Sequence, residues 1–142
     1  AESAQVHENM YGTLRSEIQR VLSAGKHVVM DIDVQGARQF RRAFPESVTI
    51  FVLPPSAEIL LERLRQRQTE SKEQLARRLQ SALQELQAVD EYQYVVVNDD
   101  LAKAVARVSA VIDAEVVRRE RVAGLRHQVS QLVQRLEQEL QD

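Results

Sequence analysis

Apolar positions along this chain follow two periods in alternation. Leu14, Ile18, Val21 and Leu22 recur at helical spacing. They predict a helix over 13–24, with Thr13 as its N-cap and Gly25 as its C-terminal stop. The polar stretch before it ends in Tyr11-Gly12-Thr13 and reads as a loop. Val28-Val29-Met30-Asp31-Ile32 is short and rich in β-branched residues, the pattern of a buried strand. Gln35-Gly36 opens a short helix that reaches about Ala43 and is ended by Pro45. Residues 48–53 predict a second strand, stopped by Pro54-Pro55, and Ser56 then caps a helix carrying Ile59, Leu60 and Leu64. After a polar break at 69–73, Ser71 with Glu73 or Gln74 caps a helix striped by Leu75, Leu79, Leu83 and Leu86. Tyr94-Val95-Val96-Val97 predicts a third strand, and a helical pattern runs from Leu101 to the end. Gly124 weakens that last helix by about 1 kcal/mol relative to alanine, or bends it.

Continuous apolar strands alternating with helices are the signature of a parallel sheet in an α/β fold. The chain has 142 residues, which suits one domain. It is 44% hydrophobic and 28% charged, which excludes a disordered tail and a collagen-like fibre. No run of about 18 apolar residues predicts a membrane span. A net charge of −2 supplies no bulk basic field for nucleic acid or anionic lipid. There are no cysteines, hence no disulfides or thiolate metal sites. The N-terminus lacks the basic-then-apolar order of a signal peptide, so a cytoplasmic location is expected. Only four glycines are present, Gly12, Gly25, Gly36 and Gly124, few for a nucleotide enzyme built on a glycine-rich loop.

Several clusters carry candidate chemistry. Asp31 and Asp33 stand at the carboxyl end of the first expected strand, where open parallel sheets bind ligands. Paired carboxylates there suit a magnesium–phosphate site or the N–H donors of a base; Asp33 equally suits a helix N-cap. Arg63, Arg65, Arg67, Arg77 and Arg78 surround the polar break. Guanidinium groups bind phosphate bidentately, so they suit a closing lid, or else a solvated face laced with Glu62, Glu70 and Glu73. Tyr11 and Thr13 offer hydroxyls to a phosphate, or simply a turn and a cap. Asn98-Asp99-Asp100 is a second strand-end cluster in which Asp100 reads as the N-cap of the following helix.

His7, His27 and His127 are too dispersed for a metal site, and none is predicted. Three Tyr, three Phe and no Trp give no stacking platform for single-stranded nucleic acid. Gly25-Lys26 fails the pattern G-x-x-x-x-G-K-[ST], lacking the upstream glycine and the hydroxyl residue. Val122, Leu125, Val129, Leu132 and Leu136 form a seam two heptads long. It reads first as an amphipathic helix docked on its own domain, with a coiled-coil pair as the alternative.

Taken in order, these segments resemble guanylate kinase, a nucleoside-monophosphate kinase. The resemblance rests on Glu2, Asn9-Met10-Tyr11-Gly12-Thr13, Asp31-Ile32-Asp33-Val34-Gln35-Gly36-Ala37 and Ile50-Phe51-Val52-Leu53-Pro54-Pro55-Ser56. It continues through Arg63-Leu64-Arg65-Gln66-Arg67-Gln68-Thr69, Ala76-Arg77-Arg78-Leu79 and Val97-Asn98-Asp99-Asp100-Leu101. It implies phosphoryl transfer from ATP to GMP with Mg²⁺, and ATP and GMP as partners. It implies that Glu2, Tyr11, Thr13 and Asp33 bind GMP: the hydroxyls hold its phosphate and the carboxylates read the guanine. It implies that Arg65, Arg67 and Arg78 are catalytic, and that Arg65 and Asn98 face ATP. On this basis 1–13 ends the GMP-binding region, 14–115 is a kinase core with a lid at about 63–78, and 116–142 is a helical extension.

The resemblance has departures. Gln66 and Gln68 replace lid glycines, and Met10 replaces a tyrosine. The family's opening strand, glycine-rich phosphate loop and helix have no counterpart in these 142 residues. The fold expected is therefore a P-loop-kinase-like parallel sheet with flanking helices, incomplete because the central phosphate-loop strand is absent, with a long C-terminal helix. These residues alone are expected to be inactive. Homo-oligomers through exposed strand edges or the C-terminal helix are compatible with it. A non-catalytic guanylate-kinase-like interaction module is the alternative function.

Overall fold

Six α-helices and two strands form from residues 7–65 and 71–142, the part described by the computed structural model. The chain divides into two compact units, 1–37 and 38–142.

In the first unit, α1 (His7–Ser23) starts well before Thr13. Tyr11-Gly12-Thr13 is therefore helical rather than a loop, and Thr13 is not a cap. Met10 stands four residues before Leu14 and continues the apolar spacing of the sequence backward through Gly12. The helix stops where glycine permits a left-handed residue. Gly25 has φ 76°, its N–H donates to the Leu22 carbonyl at 3.0 Å, and the Lys26 N–H donates to Val21 at 3.2 Å.

The strand expected at 28–32 does not form. A strand is defined by its ladder, and this run has no ladder partner among the described residues. Its apolar side chains stay in solvent, Val29 at 76% exposure. α2 (Val34–Ala43) follows, and from Arg38 onward it belongs to the second unit.

In the second unit, β1 (Ile50–Leu53) leads into α3 (Ala57–Arg65) and α4 (Lys72–Gln87). A 3₁₀ turn, Val89–Glu91, then leads to β2 (Tyr94–Val97). β2 runs parallel to β1, with Ile50 opposite Tyr94 and Leu53 opposite Val97. The α/β reading therefore holds, with a parallel pair joined by a helical crossover. β1 is shorter than the 48–53 expected: the Thr49 carbonyl still accepts the Tyr94 N–H at 3.1 Å, but the other polar groups of Thr49 turn to Gln93. The Thr49 N–H donates to the Gln93 side-chain carbonyl and the Thr49 hydroxyl accepts the Gln93 N–H, both at 3.0 Å. At the other end the Asn98 N–H donates to the Leu53 carbonyl at 2.9 Å.

Parallel neighbours in register share a sheet face. Phe51 is buried on one face and Val96 on the other, while their register partners Val95 and Val52 are about half exposed. Phe51 packs edge-on against Tyr92, ring centroids 5.0 Å apart. The remaining buried apolar residues of this unit, among those described, are Ala88 and Ala104, so the core is thin.

Local caps form as the sequence predicts. Ser71 and Gln74 make a reciprocal capping box on α4, and Ser56 accepts the Ile59 N–H on α3. Asp100 accepts the Lys103 N–H and starts α5 (Leu101–Val116). The long helix expected from Leu101 to the end is broken at 117–124. A 3₁₀ turn, Arg119–Arg121, is followed by Gly124 at φ 69°, from which α6 (Leu125–Gln141) departs. α6 is not docked: every residue from 126 to 142 is exposed.

With so few buried side chains, each carries much of the stability. Phe51→Ala is expected to cost about 3–5 kcal/mol and Val52→Ala less than about 0.5 kcal/mol, read as shifts in urea midpoint. Equal costs would mean that Phe51 is not the anchor of the strand pair.

Candidate functional site

Parallel strands direct their carboxyl ends to one edge, and the chain there turns into helices whose N–H groups face that edge. In the second unit β1 delivers Pro54-Pro55-Ser56 and β2 delivers Asn98-Asp99-Asp100 to this edge. Asn98 is half-buried and tied to Leu53 through its backbone. Asp99 accepts the Asp100 N–H at 2.8 Å and lies 3.7 Å from Arg107. The Asp100 N–H foremost, with Arg107 and Lys103 nearby, lowers the Asp99 carboxyl below its ordinary pKa.

The arginine cluster spans α3 and α4. Arg65 ends α3 and is exposed. Arg78 on α4 is half-buried, and its Nη1 donates to the Leu64 carbonyl at 3.0 Å. A cation thus caps the C-terminal end of α3, where the helix dipole is negative. That bond brings Arg78 next to the residue preceding Arg65. A groove of about 460 Å³ beside α3 is lined by Glu58, Leu61, Glu62 and Arg65. Arg67 lies outside the described residues, as do Gln66, Gln68 and Glu2.

In the first unit Asp33 is exposed and caps α2. Its Oδ1 accepts the Gly36 N–H at 2.7 Å and its backbone carbonyl accepts the Ala37 N–H at 2.8 Å. Glycine suits that closeness: a Cβ on Gly36 would stand 3.0 Å from Asp33 Oδ1, so the carboxylate would have to yield by a few tenths of an ångström. Asp31 lies two residues earlier in the extended segment. Tyr11 and Thr13 fall on α1, where described side chains begin at Leu14. Among the described residues no three His, Asp or Glu side chains stand together as a metal cage.

Known proteins decide what family this arrangement belongs to. The family model described as guanylate kinase matches residues 1–115. A guanylate kinase of Caldanaerobacter subterraneus is 45% identical over 84% of this chain and 58% of its own length. That of Symbiobacterium thermophilum is 47% identical over 82% of the chain and 56% of its length. The crystal structure of guanylate kinase from Anaplasma phagocytophilum superposes with a TM-score of 0.62 at 32% identity. It covers 80% of this chain and 54% of that one. The chain belongs to the guanylate kinase family. It spans between half and two thirds of the length of the curated relatives it matches.

Among the described residues of this guanylate-kinase-family chain, a buried polar cluster stands where sequence reasoning missed it. Glu115 on α5 is only 6% exposed. Its carboxylate accepts the Tyr94 hydroxyl, lies 3.2 Å from Arg121 Nε and lies 3.5 Å from Arg118. Arg121 also donates to the Glu46 carbonyl at 2.7 Å. The signal was in the spacing, because Glu115 continues the stripe of Ala104, Val108, Val111 and Ile112, the least exposed positions of α5. Its partners, 21 positions back and 6 on, are fixed by tertiary structure. A second feature of the same kind is Arg38, which grips Glu91 with two bonds of 2.7 and 2.6 Å and joins α2 to the 3₁₀ turn before β2.

The Tyr94 hydroxyl foremost, then Arg121 and Arg118, hold the Glu115 carboxyl below its ordinary pKa against the opposing effect of burial. The folded protein therefore binds the Glu115 proton more weakly than the unfolded chain does. The stabilisation is complete above the unfolded value of 4.5 and disappears as pH falls through the lower folded value. Thermal midpoints measured down through the acid range are expected to fall less steeply for Glu115→Gln than for the parent. Parallel curves would refute this role.

Proposed function

We propose that the protein transfers a phosphoryl group from ATP to GMP, giving ADP and GDP, and that these residues contribute the guanine-reading and lid elements. The observation that carries this is the family match over residues 1–115, which contains every residue invoked below. Asp33, with Glu2, accepts the guanine N1–H and exocyclic amino donors. Adenine offers no donor at N1, so it leaves such a carboxylate unpaired. Tyr11 and Thr13 donate to the GMP phosphate.

Arg65 and Arg67 lead the lid over the ATP phosphates and Arg78 neutralises charge on the transferred group. Phosphoryl transfer needs alignment and neutralisation more than covalent chemistry, so guanidinium groups are the fitting residues. Asn98 at the strand edge faces the adenine. The attachment of Arg78 to Leu64 supports a coupled α3–α4 movement in this scheme. Mg²⁺, the family's associate of ATP, supplies charge neutralisation on the phosphates.

Two measurements test the reading. Calorimetric titration is expected to show GMP bound at least about tenfold more tightly than AMP, with Asp33→Asn weakening GMP by about 10–100-fold. Asparagine is as good an N-cap as aspartate, so the helix content of α2 is retained. Unchanged GMP affinity in that variant would remove Asp33 from the guanine site. A coupled assay on the 142 residues alone is expected to show no GMP-dependent release of ADP, since they contain no G-x-x-x-x-G-K-[ST] phosphate loop. Turnover there would contradict the division of labour proposed.

A further inference from the structure

Gly36 stands where local rules argue against glycine. It is the third residue of α2, and a helix favours a residue with a side chain there. Its φ is not positive, unlike those of Gly25 and Gly124, so its backbone conformation does not call for glycine. The same position of α4 holds Gln74, whose side chain completes a capping box. A residue that breaks a local rule points to a constraint imposed from elsewhere.

That constraint is the Asp33 carboxylate. In α3, α4 and α5 the third residue carries a side chain: Ile59, Gln74 and Lys103. Their N–H groups donate to Ser56 Oγ, Ser71 Oγ and Asp100 Oδ1, each at 3.2 Å. The Gly36 N–H donates to Asp33 Oδ1 at 2.7 Å. Asp100 and Asp33 are the same residue in the same place, so the capping group does not account for the shorter bond.

The space around Gly36 does. A Cβ there would stand 3.0 Å from Asp33 Oδ1, 3.4 Å from Ile32 Cβ and 3.8 Å from Ile32 Cδ1. Ile32 Cβ is fixed to the backbone, whereas the Asp33 side chain is exposed and can turn. The carboxylate is therefore the group that a methyl on Gly36 displaces. A displacement of a few tenths of an ångström matters little to a helix cap. It matters to an acceptor that must meet N–H donors on the edge of a rigid purine.

We propose that Gly36 is a positioning residue for guanine selection. Lacking a Cβ, it holds the Asp33 carboxylate at short range through its N–H, in the direction from which that carboxylate accepts from guanine. The inference rests on the guanine-reading role proposed for Asp33 and adds the residue that aims it.

Gly36→Ala is expected to keep or raise the helix content read by circular dichroism, because alanine is the better helix former. Titration calorimetry on the full 142-residue chain is expected to show GMP weakened by about 3–10-fold in this variant. AMP offers Asp33 no donor at N1, so its affinity is expected to stay at the parent value. Gln35→Ala, one position earlier and exposed, is expected to bind GMP as the parent does. In an Asp33→Asn background, Gly36→Ala is expected to cost GMP nothing further, because the group it aims has already been replaced. Four results would overturn the inference while leaving the role of Asp33 in place. They are parent-like GMP binding by Gly36→Ala beside a weakened Asp33→Asn, equal losses for GMP and AMP, the same loss in Gln35→Ala, and a full additional loss in the Asp33→Asn background. A fall in helix content in Gly36→Ala would also overturn it, by making the glycine structural. Parent-like GMP binding by Asp33→Asn, or no GMP binding by the parent chain, would remove the guanine-reading role itself and this inference with it.

Discussion

The second unit depends on one register, the parallel alignment of Ile50–Leu53 with Tyr94–Val97. Parallel pairing cannot be made by a tight turn, so more than forty residues must be ordered before the first ladder bond forms. Four backbone residues on each side give little in return for that closure. The structure answers with side chains that hold the ladder from outside. Thr49 and Gln93 lock one end and Asn98 closes the other. Arg38 secures the turn that delivers β2 by its bidentate hold on Glu91, and Tyr94 ties the strand to α5 through Glu115. Apolar burial is modest here, and polar clamps at both ends of the strand pair add to what Phe51 and Val96 supply.

That register also organises the chemistry. It fixes the carboxyl ends of both strands at one edge, and so fixes where α3 and α5 begin. The crossover returning from β1 to β2 contains the arginine-bearing helices. The bond from Arg78 to the Leu64 carbonyl couples the second turn of α4 to the C-terminal end of α3.

Legibility in the sequence follows the range of each interaction. Ser71 with Gln74, Ser56, Asp100 and Gly25 were readable because a cap is satisfied within four residues. The strands at 50–53 and 94–97 were readable by composition, and their parallel sense followed from the helices between them. The run at 28–32 has the same composition and forms no strand, since composition expresses a preference whereas a ladder requires a partner. The start of α1 was misplaced because a single glycine in a polar stretch looked like punctuation. Glu115 and Arg38 were missed because their partners lie far off in the chain, although Glu115 stands on the α5 stripe, where a carboxylate signals a buried network. For the candidate site, the arginines and strand-end residues could be placed on elements from sequence, whereas the mutual attachment of α3 and α4 could not.

Asp33 serves as the cap of α2, and that cap leaves room for the ligand-binding role proposed for it. Its Oδ1 is engaged with the Gly36 N–H at 2.7 Å, and the absence of a side chain on Gly36 makes that approach practicable. An ionised carboxylate has two oxygens and about four acceptor positions, so one cap bond does not exhaust it. The cap instead fixes the carboxylate's direction, which a base-reading acceptor needs in order to discriminate between donors and acceptors on a purine edge. An unrestrained aspartate at the end of an extended segment would lose more side-chain freedom on meeting a ligand. The cap is therefore compatible with the binding role proposed for Asp33. A helix start that seems fully explained by capping remains a sound place to look for recognition.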